Sequence, residues 1–293
     1  MGHIRDVWRG GEQRKVTRKG NSAGAEAVPG IATTEKVRTD SRDVVSSTND
    51  DTDETALSQC TTTDWEPNPR TMLFFSSEEQ APGRENFRTL RSRLYQSREN
   101  APLKRILVTS SLPKEGKSFV SANLAQVMAL QQGCRTLLID ADLRTASLHS
   151  ALGTSEAPGL SEYLLGETEE FGIIQKGTME NLFFIPSGRP VSGQSEVVAN
   201  GRLKLLLDRV GPLFEWIIVD SPAVIPVSDA VVIASFCDGV LMVVRSNSTP
   251  FDIVRKARER FREEHLLGVV LNGIPPELHV ENSYLLTMPR QRD

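Results

Sequence analysis

The chain has 293 residues, with 34 Lys and Arg against 38 Asp and Glu and a net charge of -4. No apolar run reaches the roughly 18 residues of a membrane-spanning helix, and the N-terminus lacks an apolar signal core. Cys60, Cys134 and Cys237 form no C-x-x-C pair, and a balanced, slightly acidic charge argues against nucleic acid as a partner, so a reduced, cytoplasmic protein is expected.

In chain order, the first segment is polar. Residues 1–70 hold 18 residues of the set AVILMFWYC, about 26%, with no Phe and no Tyr, against about 43% in the remainder. Such a segment buries too little apolar surface to offset its ordering entropy, so residues 1–70 are expected to be a disordered leader and residues 71–293 the folded domain. The leader is asymmetric: residues 1–20 carry six basic and two acidic side chains, residues 21–70 four basic and ten acidic. It reads as a self-screening tail; contact of its basic end with an anionic membrane or a partner is the weaker reading.

A helix is predicted from Arg84 to about Ser97. Phe87, Leu90 and Leu94 share one face, and Glu85, Arg88 and Arg91 lie on a neighbouring outward arc. From Lys104 the pattern changes to short Val/Ile/Leu-rich runs at 105–110, 136–140, 182–187, 216–221, 239–245 and 267–272. These runs are continuous rather than alternating, as in strands covered on both faces. Helices are predicted near 117–131, 202–210, 227–236 and 251–264, the first with Val120, Leu124, Val127 and Met128 on one face. Alternation of this kind predicts an α/β fold with a doubly wound, mostly parallel sheet. Its nucleotide-binding core would span about 104–273, with a short tail at 274–293.

The turn after the first of these strands reads Ser111-Leu112-Pro113-Lys114-Glu115-Gly116-Lys117-Ser118. Gly116-Lys117-Ser118 match the end of the G-x-x-x-x-G-K-[ST] phosphate loop, whereas Ser111 occupies the first Gly position. Such a loop offers inward backbone N–H groups, a helix N-terminus, a Lys for β/γ-phosphates and a hydroxyl for Mg²⁺. Pro113, Glu115, Gly116, Lys117, Ser118 and Phe119 are therefore the candidate ATP-binding residues. Two strands end in acids, Asp140-Ala141-Asp142-Leu143-Arg144 and Asp220-Ser221-Pro222. Ligands bind beyond the carboxyl ends of such strands, so both clusters should meet the loop at one sheet edge. Lys117, Asp140, Asp142 and Asp220 are the candidate catalytic residues.

These motifs resemble those of the bacterial protein-tyrosine kinases of capsule and exopolysaccharide biosynthesis, members of the P-loop superfamily that includes the partition and septum-site ATPases. The resemblance covers roughly Glu85 to Asn272. It also takes in Gly159-Leu160-Ser161, Ser228-Asp229-Ala230 and Glu85-x-x-Arg88-x-x-Arg91, the last similar to the family's oligomerisation signature. Leu112 stands where the partition ATPases carry a signature Lys, which favours the kinase branch. The resemblance implies ATP and Mg²⁺, with Ser118, Asp140 and Asp220 around the metal. One of Asp140 and Asp142 would assist the metal, and the other would orient or deprotonate the acceptor hydroxyl. Asn272 resembles the superfamily's adenine-contacting Asn; a turn-forming Asn-Gly is the alternative. Arg144 would neutralise charge in trans, pair across a subunit interface, or form a surface ion pair.

There are two departures from the family pattern. Lys114 replaces a usual Gly, placing either a charge near the phosphates or a solvated side chain. The tail holds Tyr284 alone where the family carries a tyrosine cluster; Tyr95 and Tyr163 are the chain's other tyrosines. The expected function is an ATP-dependent tyrosine kinase regulating polysaccharide biosynthesis and export. It would act as a homo-oligomer on protein tyrosines, Tyr284 among the candidates, recruited to the inner membrane face by a membrane adaptor or co-polymerase. A kinase-inactive nucleotide switch and a scaffold working through its leader are the alternatives.

Overall fold

A computed structural model describes residues 3–7, 55–75 and 83–275. The bulk of the expected leader and Tyr284 lie outside the described residues. The first strand, β1 (His3–Val7), is followed by β2 (Thr61–Thr62) and helix α1 (Arg84–Asn100). Next come β3 (Arg105–Ser110), α2 (Lys117–Ala129), β4 (Thr136–Asp140), α3 (Leu148–Leu152) and α4 (Leu160–Leu164). They lead to β5 (Gln175–Lys176), β6 (Leu182–Ile185), α5 (Gln194–Ala199) and α6 (Arg202–Val210). The chain continues through β7 (Trp216–Asp220), α7 (Asp229–Ala234), β8 (Gly239–Arg245), α8 (Phe251–Arg258) and β9 (Leu266–Ile274).

The described strands form one sheet of nine, ordered β1-β9-β8-β3-β7-β4-β6-β5-β2. The six central strands are mutually parallel, while β1 and β5 run antiparallel to β9 and β6. The predicted doubly wound sheet is thus present, and every predicted run after residue 104 is a strand. β8 shows why these runs are continuous. Leu241 and Val243 enter the cluster with α1 and α2, and Met242 and Val244 enter the cluster on the opposite face with Ala230 and Ala257. A strand with no solvated face has no need of polar alternation.

Helix α2 differs from its prediction. The periodicity gave it one apolar face, yet every residue from Val120 to Ala129 is buried. α1 packs Phe87 edge-on against Phe119, with centroids 5.9 Å apart. A strap at residues 71–74 covers more of α2. Asn123 Oδ1 accepts the Leu73 N–H at 2.8 Å, and Gln126 Oε1 accepts that of Phe74 at 3.1 Å. Two buried polar residues in a helix are tolerated because each answers a backbone group that would otherwise be orphaned.

The leader boundary at residue 70 is corrected by this strap. Trp65 is buried in the main core with Met72, Leu73 and Phe74, and β2 pairs with β5. The described residues 3–7, 59–75 and 83–275 group in one compact α/β unit. Average composition concealed a few well-spaced anchors: one Trp, and backbone donors at Glu66 and Asn68 that bond the Gly153 and Ala151 carbonyls at 3.2 and 3.0 Å.

Candidate nucleotide and phosphotransfer site

Parallel pairing sets the site. In register, Asp140 lies beside Asp220, and Val108 of β3 beside Asp220. Residues paired across parallel strands point to the same face, so both carboxylates come off one sheet edge as neighbours. The loop from β3 delivers Gly116 with φ 96° at the N-cap of α2, and Lys117 and Ser118 open that helix.

The Lys117 ammonium lies 2.7 Å from Asp142 Oδ2 and 4.0 Å from Asp220 Oδ2. Ser118 donates its hydroxyl to Asp220 Oδ2 at 2.6 Å, and Ser121, one turn on, reaches Asp220 Oδ1 at 2.9 Å. Asp142 also accepts the Thr145 N–H at 3.0 Å and its hydroxyl at 2.9 Å. Asp140 is fully buried and accepts the backbone N–H groups of Asp142, Ser147 and Leu148 at 3.2–3.3 Å.

These surroundings separate the three acids. Burial, then the neighbouring Asp220 charge, pushes the Asp140 carboxyl up to about 7 despite the Leu148 N–H. Burial also raises Asp220, against Lys117 and the two serines. Burial raises Asp142 too, but the Lys117 charge and hydrogen bond, with Thr145, bring it below the usual carboxylate range. For Lys117, burial opposes the ammonium, and Asp220 and Asp142 outweigh it, so its pKa stands above the ordinary lysine value.

Beside these groups lies a cavity of about 350 Å³. Lys117, Ser118 and Asp142 supply its polar floor, and Phe119, Pro222 and Pro226 part of its apolar wall. Pro113, Lys114, Gly116 and Arg144 also border it. The predicted residues Pro113, Gly116, Lys117, Ser118, Phe119 and Asp142 therefore converge, with Asp220 directly beneath Ser118.

Glu115 and Asn272 have a different place from the one predicted. Neither borders the cavity. The Glu115 carboxylate is turned into the protein, where it accepts the Leu112 N–H at 2.7 Å, the Arg245 N–H at 3.3 Å and the Thr249 hydroxyl. Asn272 donates its amide to the Glu115 carbonyl at 2.9 Å and packs so tightly on Gly116 that a Cβ there would lie 1.9 Å from its nitrogen. Both side chains shape the loop from behind. Lys114 is exposed at the cavity rim with φ 67°, a left-handed conformation that explains why glycine suits this position.

On α1, Phe87, Leu90 and Leu94 are buried as predicted, and Arg88 pairs with Glu85 at 3.1 Å on the exposed face. Arg91 departs from the expectation of an outward charge: it bends onto its own domain and donates to the Val127 carbonyl of α2 at 2.9 Å. Sequence reasoning missed Ser121, Thr145, Ser195, Asp229 and Thr249 as parts of the site. Two of them carry a local signal: Ser121 lies one helical turn beyond Ser118, and Asp229 stands in the Ser228-Asp229-Ala230 stretch of the resemblance.

Hydroxyl and carboxylate oxygens at Ser118 and Asp220 are the hard donors Mg²⁺ selects, and an ion that keeps several waters needs few protein ligands. Among the described residues no group of three or more His, Cys, Asp and Glu side chains is arranged to hold a metal. The donor set therefore fits a hydrated Mg²⁺ held with a bound nucleotide. Asp140, expected as a further metal ligand, has both oxygens occupied by backbone N–H groups.

No family model matches the chain. It is 31% identical over 210 residues to the tyrosine-protein kinase YwqD of Bacillus subtilis, covering 71% of this chain and 88% of that one. The chain belongs to the bacterial tyrosine-protein kinases. It is 32% identical over 200 residues to the putative tyrosine-protein kinase EpsB of Ralstonia nicotianae, spanning 68% of this chain but only 26% of that longer kinase. The kinase domain of the Escherichia coli tyrosine kinase ETK superposes with a TM-score of 0.65 at 31% identity, covering 69% of this chain and 80% of that domain. As a bacterial tyrosine kinase, the chain shares its fold with the ETK kinase domain. Among the described residues no helix is long and apolar enough to cross a membrane.

Proposed function

We propose that the protein transfers the γ-phosphoryl group of ATP to tyrosine hydroxyls of proteins in capsule or exopolysaccharide assembly, regulating synthesis and export. The observation that carries this reading is the convergence, at one cavity, of Lys117 2.7 Å from Asp142 with Ser118 2.6 Å from Asp220.

Phosphoryl transfer asks the protein mainly for positioning and charge neutralisation. Lys117 gives its ammonium to the β/γ-phosphates, leaving its contact with Asp142. Asp142 then loses the cation that holds its pKa down and, bordering the cavity, orients and accepts the proton of the tyrosine hydroxyl. Ser118 and Asp220 would hold Mg²⁺, which would supply neutralisation of charge on the phosphates. Asp140 stays behind the site, where its burial and the Asp142 N–H fix the turn that carries Asp142. Gly116 and Pro113 let the loop backbone approach the phosphates, and Phe119 walls the cavity.

On this reading the kinase works at the inner face of the membrane, brought there by a membrane adaptor or co-polymerase. It self-associates through the Glu85–Arg88 face of α1, with Arg91 fixing that helix from inside. Tyr284 is the acceptor candidate within the chain, and co-encoded polysaccharide enzymes are the candidates outside it. One observation favours a second reading: the three tyrosines of the sequence, Tyr95, Tyr163 and Tyr284, are far apart and form no cluster, which suits an ATP-dependent switch without kinase activity. Incubation with ATP and Mg²⁺ followed by mass spectrometry for phosphotyrosine separates the two. Phosphotyrosine on Tyr284 or on a co-encoded enzyme is expected. ATP-dependent assembly with no phosphotyrosine on any acceptor would favour the switch.

A further inference from the structure

Arg144 follows the Asp142 turn and borders the cavity, yet none of its hydrogen bonds reaches Lys117, Ser118 or Asp220. Its side chain is held elsewhere. Nε donates to Asp229 Oδ2 at 2.9 Å, and Nη2 donates to the Ser195 hydroxyl at 2.8 Å. Ser195 closes the triangle by donating to Asp229 Oδ1 at 2.6 Å. The Asp229 side chain is 3% exposed and that of Arg144 is 33% exposed, so the anchor is buried while the guanidinium still reaches the opening. The two anchors begin α7 and α5, elements that carry no phosphate-loop residue.

A surface ion pair between long side chains contributes little because both must be ordered. Here the ordering is already done: two fork nitrogens are pinned, and Nη1 has no partner among the described residues. A guanidinium held this way presents its remaining N–H groups in a fixed direction at little further entropic cost. The group it suits is a carboxylate, which accepts a charge-assisted hydrogen bond. It borders the same cavity as Asp142, so a chain that presents its tyrosine to Asp142 would lie beside it.

We propose that Arg144, fixed by Asp229 and Ser195, is a specificity-determining residue that binds an acidic side chain near the acceptor tyrosine. The inference rests on the phosphotransfer reading above. The chain's own Tyr284 has Glu281 three residues before it, which supplies a natural probe.

The test uses the full-length protein with ATP, Mg²⁺ and two peptides spanning residues 277–290, one native and one with Glu281→Gln. Phosphotransfer kinetics and calorimetric peptide binding are both measured. The native peptide should have kcat/KM about tenfold above its Glu281→Gln counterpart, in line with one charge-assisted hydrogen bond. R144Q should bring that ratio close to one, and S195A, which keeps the charge but frees the fork, should bring it partway. The KM for ATP should not follow the ratio. Equal kcat/KM for the two peptides with the unsubstituted protein, or an R144Q protein that keeps the ratio, overturns the proposal. An R144Q effect falling wholly on the KM for ATP also overturns it and makes Arg144 a phosphate ligand. Absence of phosphotransfer to either peptide, with calorimetry still showing the preference and R144Q abolishing it, supports the acid-binding site while the kinase reading fails. Absence of both signals overturns both.

Discussion

Lys117 meets Asp142 at 2.7 Å and Arg88 meets Glu85 at 3.1 Å, yet these two ion pairs do different work. The Lys117–Asp142 side chains are 10% and 2% exposed; those of Arg88 and Glu85 are 46% and 77% exposed. Water screens the outer pair, and either partner can leave it at small cost. At the strand ends, one ammonium faces three carboxylates with little water, so removing it strands charge in a poorly solvated place. The lesson is that distance alone does not rank the two regions. Burial makes the inner cluster a structural keystone, and on the proposed phosphotransfer reading its parts change partners when phosphates bind.

The largest way to break the inner region is Lys117→Met. It should abolish phosphotransfer and lower unfolding stability at pH 7 by about 3–5 kcal/mol, read by urea titration, because Asp142 and Asp220 are left without their cation. The deficit should shrink at pH 5, where the stranded acids take up protons. An unchanged urea midpoint at pH 7 would mean that the cluster is not held together by Lys117.

Asp140 gives a subtler test, through pH. Its carboxyl is raised from 3.8 to about 7, so between these values the folded protein holds a proton that the unfolded chain has released. Its contribution to stability is therefore fully present below about pH 4 and is lost as pH rises through about 7. Asp140→Asn should flatten stability from pH 5 to 8 and add about 2 kcal/mol at pH 8, while lowering phosphotransfer by disturbing the Asp142 turn. A pH profile identical to that of the unsubstituted protein would remove Asp140 from this account.

The loop rim lies between the two regions. Lys114 holds φ 67°, so Lys114→Gly should raise the thermal midpoint, by an amount equivalent to about 1 kcal/mol less glycine's entropy cost. A lowered midpoint would show that the Lys114 side chain contributes more than its backbone costs. The smallest effect is expected on α1. Arg88→Ala should change stability by less than about 0.5 kcal/mol. If this face carries self-association, the same variant should shift sedimentation toward smaller species with the thermal midpoint unchanged, so a shift of both would point to a folding role.

Parts of this arrangement were legible in advance for physical reasons. Strands such as 136–140 and 239–245 were found to the residue because burial on both faces leaves an unbroken apolar run that little else produces. Gly116-Lys117-Ser118 was legible because a phosphate loop needs consecutive residues of fixed type. The short helices α3, α4 and α5 were not read, since five or six residues are too few to show a period. Trp65 sits in a polar stretch of the sequence, and nothing near it marks it as core, because Gly177 packed under its ring and Phe184 at 6.3 Å are more than a hundred residues away.

The sequence by itself determined the alternation of strands and helices, the phosphate loop, the acids at strand ends and the apolar face of α1, because each is written in neighbouring residues. The tertiary structure alone decided what those acids are. Parallel register puts Asp140 beside Asp220, Lys117 chooses Asp142, and a fully buried carboxyl flanked by a like charge becomes a group that titrates near neutrality. It likewise decided that Glu115 and Asn272 support the loop from behind and that Arg144 is held by Asp229 and Ser195. Those partners lie 51 to 157 residues apart in the chain. Their charge state and direction depend on solvent exclusion and on neighbours that only the folded sheet assembles.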